Sequence, residues 1–195
     1  KICFFEKDFV KFELMRYIDV TNLLNTTKLL KNVKRKFIYR KLNKKYSLEY
    51  YDNEEFRIII HNSVKNPNKQ ISLYLSNCYK ITDISALGKV HTLILSHCYD
   101  ITDVSALGNV HKLKLNYCLN ITDVSALGNV YSLYLSGCKK ITDVSALGNV
   151  KKLGLSFCEN ITDVSALGNV HTLDLSHCEN ITDVSALGNV HKLIK

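Results

Sequence analysis

The sequence predicts an α+β protein: a short-coil solenoid with a parallel strand ladder on one side, turns or short 3₁₀ segments on the other, and a small helical N-terminal region. Three observations predict it. First, the string ITDVSALGNV occurs five times, starting at Ile101, Ile121, Ile141, Ile161 and Ile181, and a variant, ITDISALGKV, starts at Ile81. Self-similarity at a fixed period marks stacked structural units. Second, Leu93 and Leu95 alternate with Thr92, Ile94 and Ser96, a period of two that suits a strand with one face inward. Third, a 20-residue period leaves no room for a long helix once the strand is made.

Each part of the unit has a physical role. Read from Val90, apolar residues fall at Val90, Leu93, Leu95, Cys98, Ile101, Val104 and Leu107. One strand per coil gives a ladder with about 4.8 Å between neighbours, so six or seven strands span roughly 30 Å. After the strand, Asp103 can accept backbone N–H bonds and start a tight turn or 3₁₀ segment. Gly108 can end that segment in the left-handed conformation. One coil cannot bury its own apolar face, so stability comes from stacking.

The residues from about Gln70 to Lys195 thus open each coil as Val90-x-x-Leu93-x-Leu95-x-x-Cys98 does, which resembles the leucine-rich repeat, with Cys where many such repeats carry Asn. The ITDVSALGN half is similar to the short coils of internalin-like proteins. The resemblance covers nearly two thirds of the chain and implies a leucine-rich-repeat solenoid. Near-identical repeats in a Lys-, Asn- and Ile-rich chain also resemble those of giant DNA viruses and some protists. The last coil stops in mid-strand at Leu193-Ile194-Lys195, so either further repeats or a fraying final coil is expected.

The polar columns read as structural rather than catalytic. Cys78, Cys98, Cys118, Cys138, Cys158 and Cys178 recur every 20 residues and form a ladder of inward-pointing thiols. Parallel thiols have poor geometry for a disulfide, and free Cys behaves as a small buried apolar residue. Reduced thiols imply a reducing, intracellular and cytoplasmic setting (a host cell if the source is viral). No clustered zinc spacing such as C-x₂-C is present, so no metal is expected. His97 and His177 adjoin Cys98 and Cys178, but alternation along a strand turns His to solvent and Cys to the core. His171 and His191 share a column and can approach each other. Asp103 repeats in every coil, as a turn former does. No phosphate-binding glycine loop or nucleophile–base signature occurs, so the protein is read as non-enzymatic, without cofactor.

Variation between coils points to a binding face. The position between the strand leucines is Tyr74, Ile94, Lys114, Tyr134, Gly154, Asp174 and Ile194. The position before Cys is Asn77, His97, Tyr117, Gly137, Phe157 and His177. A third column, from Ser72 through Lys112 and Lys152 to Thr172, is polar or basic. All three are expected on the outward, concave side of the strands, while the turn half hardly changes. Exposed aromatics among charged residues suit a protein target.

The N-terminal third differs in kind. Residues 1–70 hold 16 of the 26 Lys and Arg but 8 of the 18 Asp and Glu, so the whole net charge of +8 resides there. The only Pro, Pro67, marks the junction between a helical, basic region over residues 1–69 and the repeats from 70 to 195. Phe9 to Lys36 has helical patterning. The stretch from Leu14 to Asn25 resembles the middle of an F-box, and Thr26 to Leu42 resembles its basic third helix. The usual Leu-Pro start is absent, with Phe9-Val10-Lys11-Phe12 in its place. The resemblance implies a substrate receptor of a cullin–RING ubiquitin ligase, with Leu14, Ile18, Val20, Leu23 and Leu24 contacting a Skp-type adaptor. Otherwise the same residues form a helical cap on the first coil.

An alternative follows from charge. Lys28 to Lys45 holds nine basic residues and no acidic one, with Phe37 and Tyr39 interleaved, a composition able to meet nucleic-acid phosphates. No recognised nucleic-acid-binding fold accompanies it. A bare interaction scaffold is the third possibility. No apolar run long enough for a membrane span (about 18 residues) and no signal peptide are present, so no membrane partner is expected.

Overall fold

A computed structural model describes residues 41–63 and 71–195. They belong to one compact unit that runs from Tyr39 to Lys195. The F-box-like residues Leu14, Ile18, Val20, Leu23 and Leu24 and the Pro67 junction lie outside the described residues.

Among the described residues two helices come first, α1 (Lys44–Asp52) and α2 (Glu54–Ser63). Asn43 caps α1, its side chain accepting from Tyr46 N–H at 3.1 Å. Asn53 does the same for α2, accepting from Phe56 N–H at 3.0 Å. Seven strands follow: β1 (Ser72–Tyr74), β2 (Thr92–Ile94), β3 (Lys112–Lys114), β4 (Ser132–Tyr134), β5 (Lys152–Gly154), β6 (Thr172–Asp174) and β7 (Lys192–Ile194). Between them lie six 3₁₀ segments: η1 (Ser85–Leu87), η2 (Ser105–Leu107), η3 (Ser125–Leu127), η4 (Ser145–Asn149), η5 (Ser165–Asn169) and η6 (Ser185–Leu187).

The strands form one parallel sheet in sequence order, and each residue pairs with the residue one repeat later: Leu73 with Leu93, Leu93 with Leu113, and so on. The repeat period sets this register, because any slip would turn the leucines outward. The core is the column set read from the sequence. Val90, Leu93, Leu95, Cys98, Ile101, Val104 and Leu107 are all buried, and the same positions are buried in the following coils through Val170.

The cap meets the first coil through backbone pairing and the Ser47 side chain. Lys41 bridges Ser72 in parallel, and Leu42 N–H donates to Ser72 O at 2.9 Å. The fully buried Ser47 then donates its hydroxyl to Leu42 O at 3.1 Å and accepts Tyr74 N–H at 2.9 Å. The edge of β1 is therefore covered rather than open. Lys41 and Leu42 were expected to end a basic helix. They are extended instead, because the edge of β1 offers them backbone partners that a helix end would leave unmet.

A second expectation is corrected at the glycines. Gly108 is not left-handed; its φ of −58° and ψ of −19° are right-handed, and Gly88, Gly128 and Gly188 match it. The requirement is closeness. A Cβ on Gly108 would lie 2.4 Å from the carbonyl oxygen of Ala126 in the next coil. Glycine sits there so that two turns can stack at backbone distance.

Candidate protein-binding face

Because Leu73, Leu93 and their equivalents point into the core, the residues on either side of them face outward. This places Tyr74, Ile94, Lys114, Tyr134 and Asp174 on one outer strand face, as expected. Within that column Lys114 Nζ lies 5.1 Å above the Tyr134 ring, a cation–π contact. Tyr134 in turn leans over Gly154, where a Cβ would come 3.1 Å from its ring. Asp174 is committed locally: its Oδ1 accepts from Ser176 N–H at 3.0 Å and from the Ser176 hydroxyl at 2.7 Å.

The column of His97, Tyr117, Phe157 and His177 was expected as a strand position. It lies past the strand, in a turn, with a left-handed backbone: φ is 61° at His97, 57° at Tyr117, 60° at Phe157 and 59° at His177. Strand alternation therefore does not expose these side chains; the reversal of the backbone does. Three of these N–H groups still donate to the next coil, His97 to Asn116 O and Tyr117 to Ser136 O at 2.8 Å and Phe157 to Ser176 O at 2.9 Å. Gly137, at φ 74°, and Asn77, at φ 58°, are the members of this column suited to that conformation by residue type. The exposed rings stack between coils. His97 and Tyr117 lie 4.8 Å apart at 8°, and Phe157 and His177 lie 4.2 Å apart at 12°. Gly137 interrupts the row, and Tyr117 covers it so closely that a Cβ there would meet its ring at 2.5 Å.

A second row was not singled out as a site. It lies at the start of the strands. His91 and His111 stack at 4.7 Å, His111 and Tyr131 at 4.7 Å, and His171 and His191 at 4.7 Å. The approach of His171 to His191 was anticipated; the separate stack of His91, His111 and the exposed Tyr131, cut off from it by Lys151, was not. The signal was present in the sequence as one more column at the repeat period. Burial, with His111 beside it, lowers the His91 pKa below the usual imidazole value.

The cysteine ladder is structural. Cys98, Cys118, Cys138, Cys158 and Cys178 are free and buried, and Cys78 is partly buried. Each inner thiol donates to a leucine carbonyl of the preceding coil, Cys98 to Leu75 O at 3.2 Å and Cys118 to Leu95 O at 3.2 Å. Leu95 O also accepts Cys98 N–H from its own coil, so its two lone pairs join adjacent coils. Burial pushes the thiol pKa up, to about 12 at Cys118 and Cys158, so these groups stay protonated at neutral pH and are poor nucleophiles. On the opposite side Asp103 Oδ1 accepts Ser105 N–H at 2.8 Å, and the other five coils repeat this turn. That backbone bond, with the Ser105 hydroxyl second, lowers the Asp103 pKa. Among the described residues no group of three or more His, Cys, Asp or Glu converges as metal ligands. No helix among them is long and apolar enough to cross a membrane.

The fold is a leucine-rich-repeat solenoid. It is similar to internalin C2 from Listeria monocytogenes, with a TM-score of 0.52 and 25% identity over 64% of this chain and 61% of that one. Internalin F from the same species gives 0.45 and 23% over 65% and 48%. The functional domain of InlJ from Listeria monocytogenes, described as including a cysteine ladder, gives 0.26 and 15% over 65% and 40%. The chain spans 61% of the length of internalin C2. No protein-family model matches the sequence, and no curated protein does.

Proposed function

We propose that the outer strand face and the turn row beside it bind a target protein. One observation carries this reading: bulky aromatics occupy left-handed backbone positions and remain exposed. Tyr117 (39% exposed) and Phe157 (41% exposed) sit where an L-residue is disfavoured by about 1–2 kcal/mol, and where Asn or Gly would be better tolerated. Residue strain kept at a surface is a mark of function. The rest of the coil is a constant scaffold, and a solenoid presents such a face as one continuous surface.

The test is selection of random 12-residue peptides on this chain and on a Tyr117→Asn/Phe157→Asn variant. Peptides selected on the parent should lose at least tenfold affinity on the variant. The variant's unfolding free energy should stay within about 1 kcal/mol, because relief of the backbone offsets the loss of ring stacking, worth about 0.5–1.5 kcal/mol per pair. Selection that ignores the substitutions sinks the reading.

A finer proposal concerns what capture is for. The F-box-like string around Leu23 and Leu24 supports a role as substrate receptor of a cullin–RING ligase, in a reducing cytoplasm that the free thiols favour. Co-purification of a Skp-type adaptor, lost on Leu23→Asp plus Leu24→Asp, is the expected result. Absence of the adaptor, with salt-sensitive nucleic-acid binding through residues 28–45, would replace it.

A further inference from the structure

The repeats are neutral as a whole, with 10 basic and 10 acidic residues over 71–195, but the fold separates the two signs. On the strand face the outward columns carry Lys112, Lys114, Lys152 and Lys192 against a single carboxylate, Asp174. Lys151 is exposed at the start of β5, adding to the same side. The η turns carry the opposite charge: one Asp per coil from Asp83 to Asp183, six in all, every one exposed and held ionised by a backbone N–H. Among the described residues the ion pair formed is Lys139–Glu159, which lies on neither face. Among the described residues, the lysines of the strand face thus form no ion pair with a carboxylate.

Their arrangement is specific. The register places Lys112 beside Ser132 and Ser132 beside Lys152. Two ammonium stems therefore flank a serine, about 10 Å apart across two strand spacings. Ser132 is small and 6% exposed, so the floor between them is low and polar. Lys114 adds a third ammonium diagonally across, over the Tyr134 ring. The two rows of stacked rings, His91–His111–Tyr131 and His97–Tyr117, border this cluster at the two ends of the strands.

We infer that the occupant of the strand face is an acidic protein segment, whose Asp and Glu side chains seat between Lys112 and Lys152 over Ser132. This rests on the protein-binding reading above and names the chemistry of the partner. Charge complementarity favours it, and the Asp side of the solenoid repels the same segment, so only one face is productive. A short segment also fits better than a long polyanion. The net charge of +8 lies in residues 1–70, so a long polyanion is drawn there, while a few carboxylates sense the local lysines of the strand face.

The peptide selection decides the matter, together with five further measurements: two variants, salt, a charge-swapped peptide and competition by an oligonucleotide. Sequences selected on the parent chain should be rich in Asp and Glu. They should lose at least tenfold affinity on Lys112→Glu/Lys152→Glu, keep it on Asp103→Asn, and weaken between about 50 mM and about 500 mM salt. A Lys-substituted copy of the best peptide should bind the Lys112→Glu/Lys152→Glu variant better than it binds the parent, which also shows that the variant is folded. Neutral or basic peptides that still depend on Tyr117 and Phe157 would overturn the inference and leave the protein-binding reading standing. Acidic peptides indifferent to Lys112 and Lys152 would overturn it too, as would a single-stranded oligonucleotide that displaces them at equal or lower concentration. If no peptide of any charge is selected, both readings fall.

Discussion

Glycine is the residue on which the tightness of the coil depends, and its value depends on what the next coil brings. Gly128 and Gly188 share one backbone conformation, with φ of −58° at each. A Cβ at Gly128 would meet Ala146 O at 2.4 Å, whereas at Gly188 nothing lies within 4 Å. Gly128→Ala should therefore cost about 1–3 kcal/mol through forced separation of coils. Gly188→Ala should be neutral or stabilise by up to about 1 kcal/mol, since it only restricts the unfolded chain. Urea unfolding of the two variants checks this; equal effects would refute the packing explanation. Cysteine gives a parallel case. Cys118, Cys138 and Cys158 are fully buried, and burial raises each thiol pKa, while Cys78 is partly exposed. Maleimide labelling followed by peptide mapping should modify Cys78 before any of Cys118, Cys138 and Cys158, and leave those three untouched until the protein unfolds.

No strand of three residues is stable alone, so each element depends on its neighbours. The end elements show this best. Ser47 on α1 supplies the hydroxyl that accepts Tyr74 N–H, and itself donates to Leu42 O. Its removal leaves a buried donor and a buried acceptor without these partners. Ser47→Ala should cost about 1–3 kcal/mol, and hydrogen exchange at Tyr74 should accelerate more than at Leu133. Uniform acceleration would mean that the cap and the coils open as one body. The η segments carry no side-chain N-cap bond; their turns are set instead by the Asp two residues before the first 3₁₀ residue, as in Asp103 accepting from Ser105 N–H.

Across the whole molecule the repeated groups make stability depend on pH in a predictable way. The inner thiols titrate above their ordinary value of 9.0 because burial disfavours the thiolate. The folded state then binds more protons than the unfolded state above about pH 9, so stability should fall from there towards about pH 12. The exposed Asp column titrates below its ordinary value of 3.8, chiefly through the Ser backbone N–H bonds. Its contribution is present above that value and lost as the pH falls below it. Burial lowers the His91 pKa, so that group also costs stability as the pH falls below its ordinary value of 6.5; thermal unfolding should thus show a plateau between about pH 6.5 and about pH 9 with a decline on both sides. Unchanged stability at pH 10.5 or above in the parent chain would show that the ladder does not behave as buried thiols.

Much of this was legible in the sequence because a fixed period converts spacing directly into stacking. Leu93, Leu95, Cys98 and Ile101 had to share a core with their repeats, and Asp103 had to turn the chain in each coil. Other features depended on contacts between coils that no single repeat contains. The glycine requirement at Gly108 comes from Ala126 in the next coil, so local turn rules misread it as a left-handed residue. The left-handed turn fell at His97, Tyr117 and Phe157, where residue type argues against it and where the N–H of each donates to the following coil. The separation of charge was hidden for the same reason: the sequence shows 10 Lys and 10 Asp or Glu interleaved, and only the coil sends the lysines beside the leucines to one face and the turn aspartates to the other. The sequence by itself determined the repeat, the register and the core, which follow from periodicity. The tertiary structure decided where the surface is strained, which glycines are crowded and which face is basic, because each of these is a relation between one coil and the next.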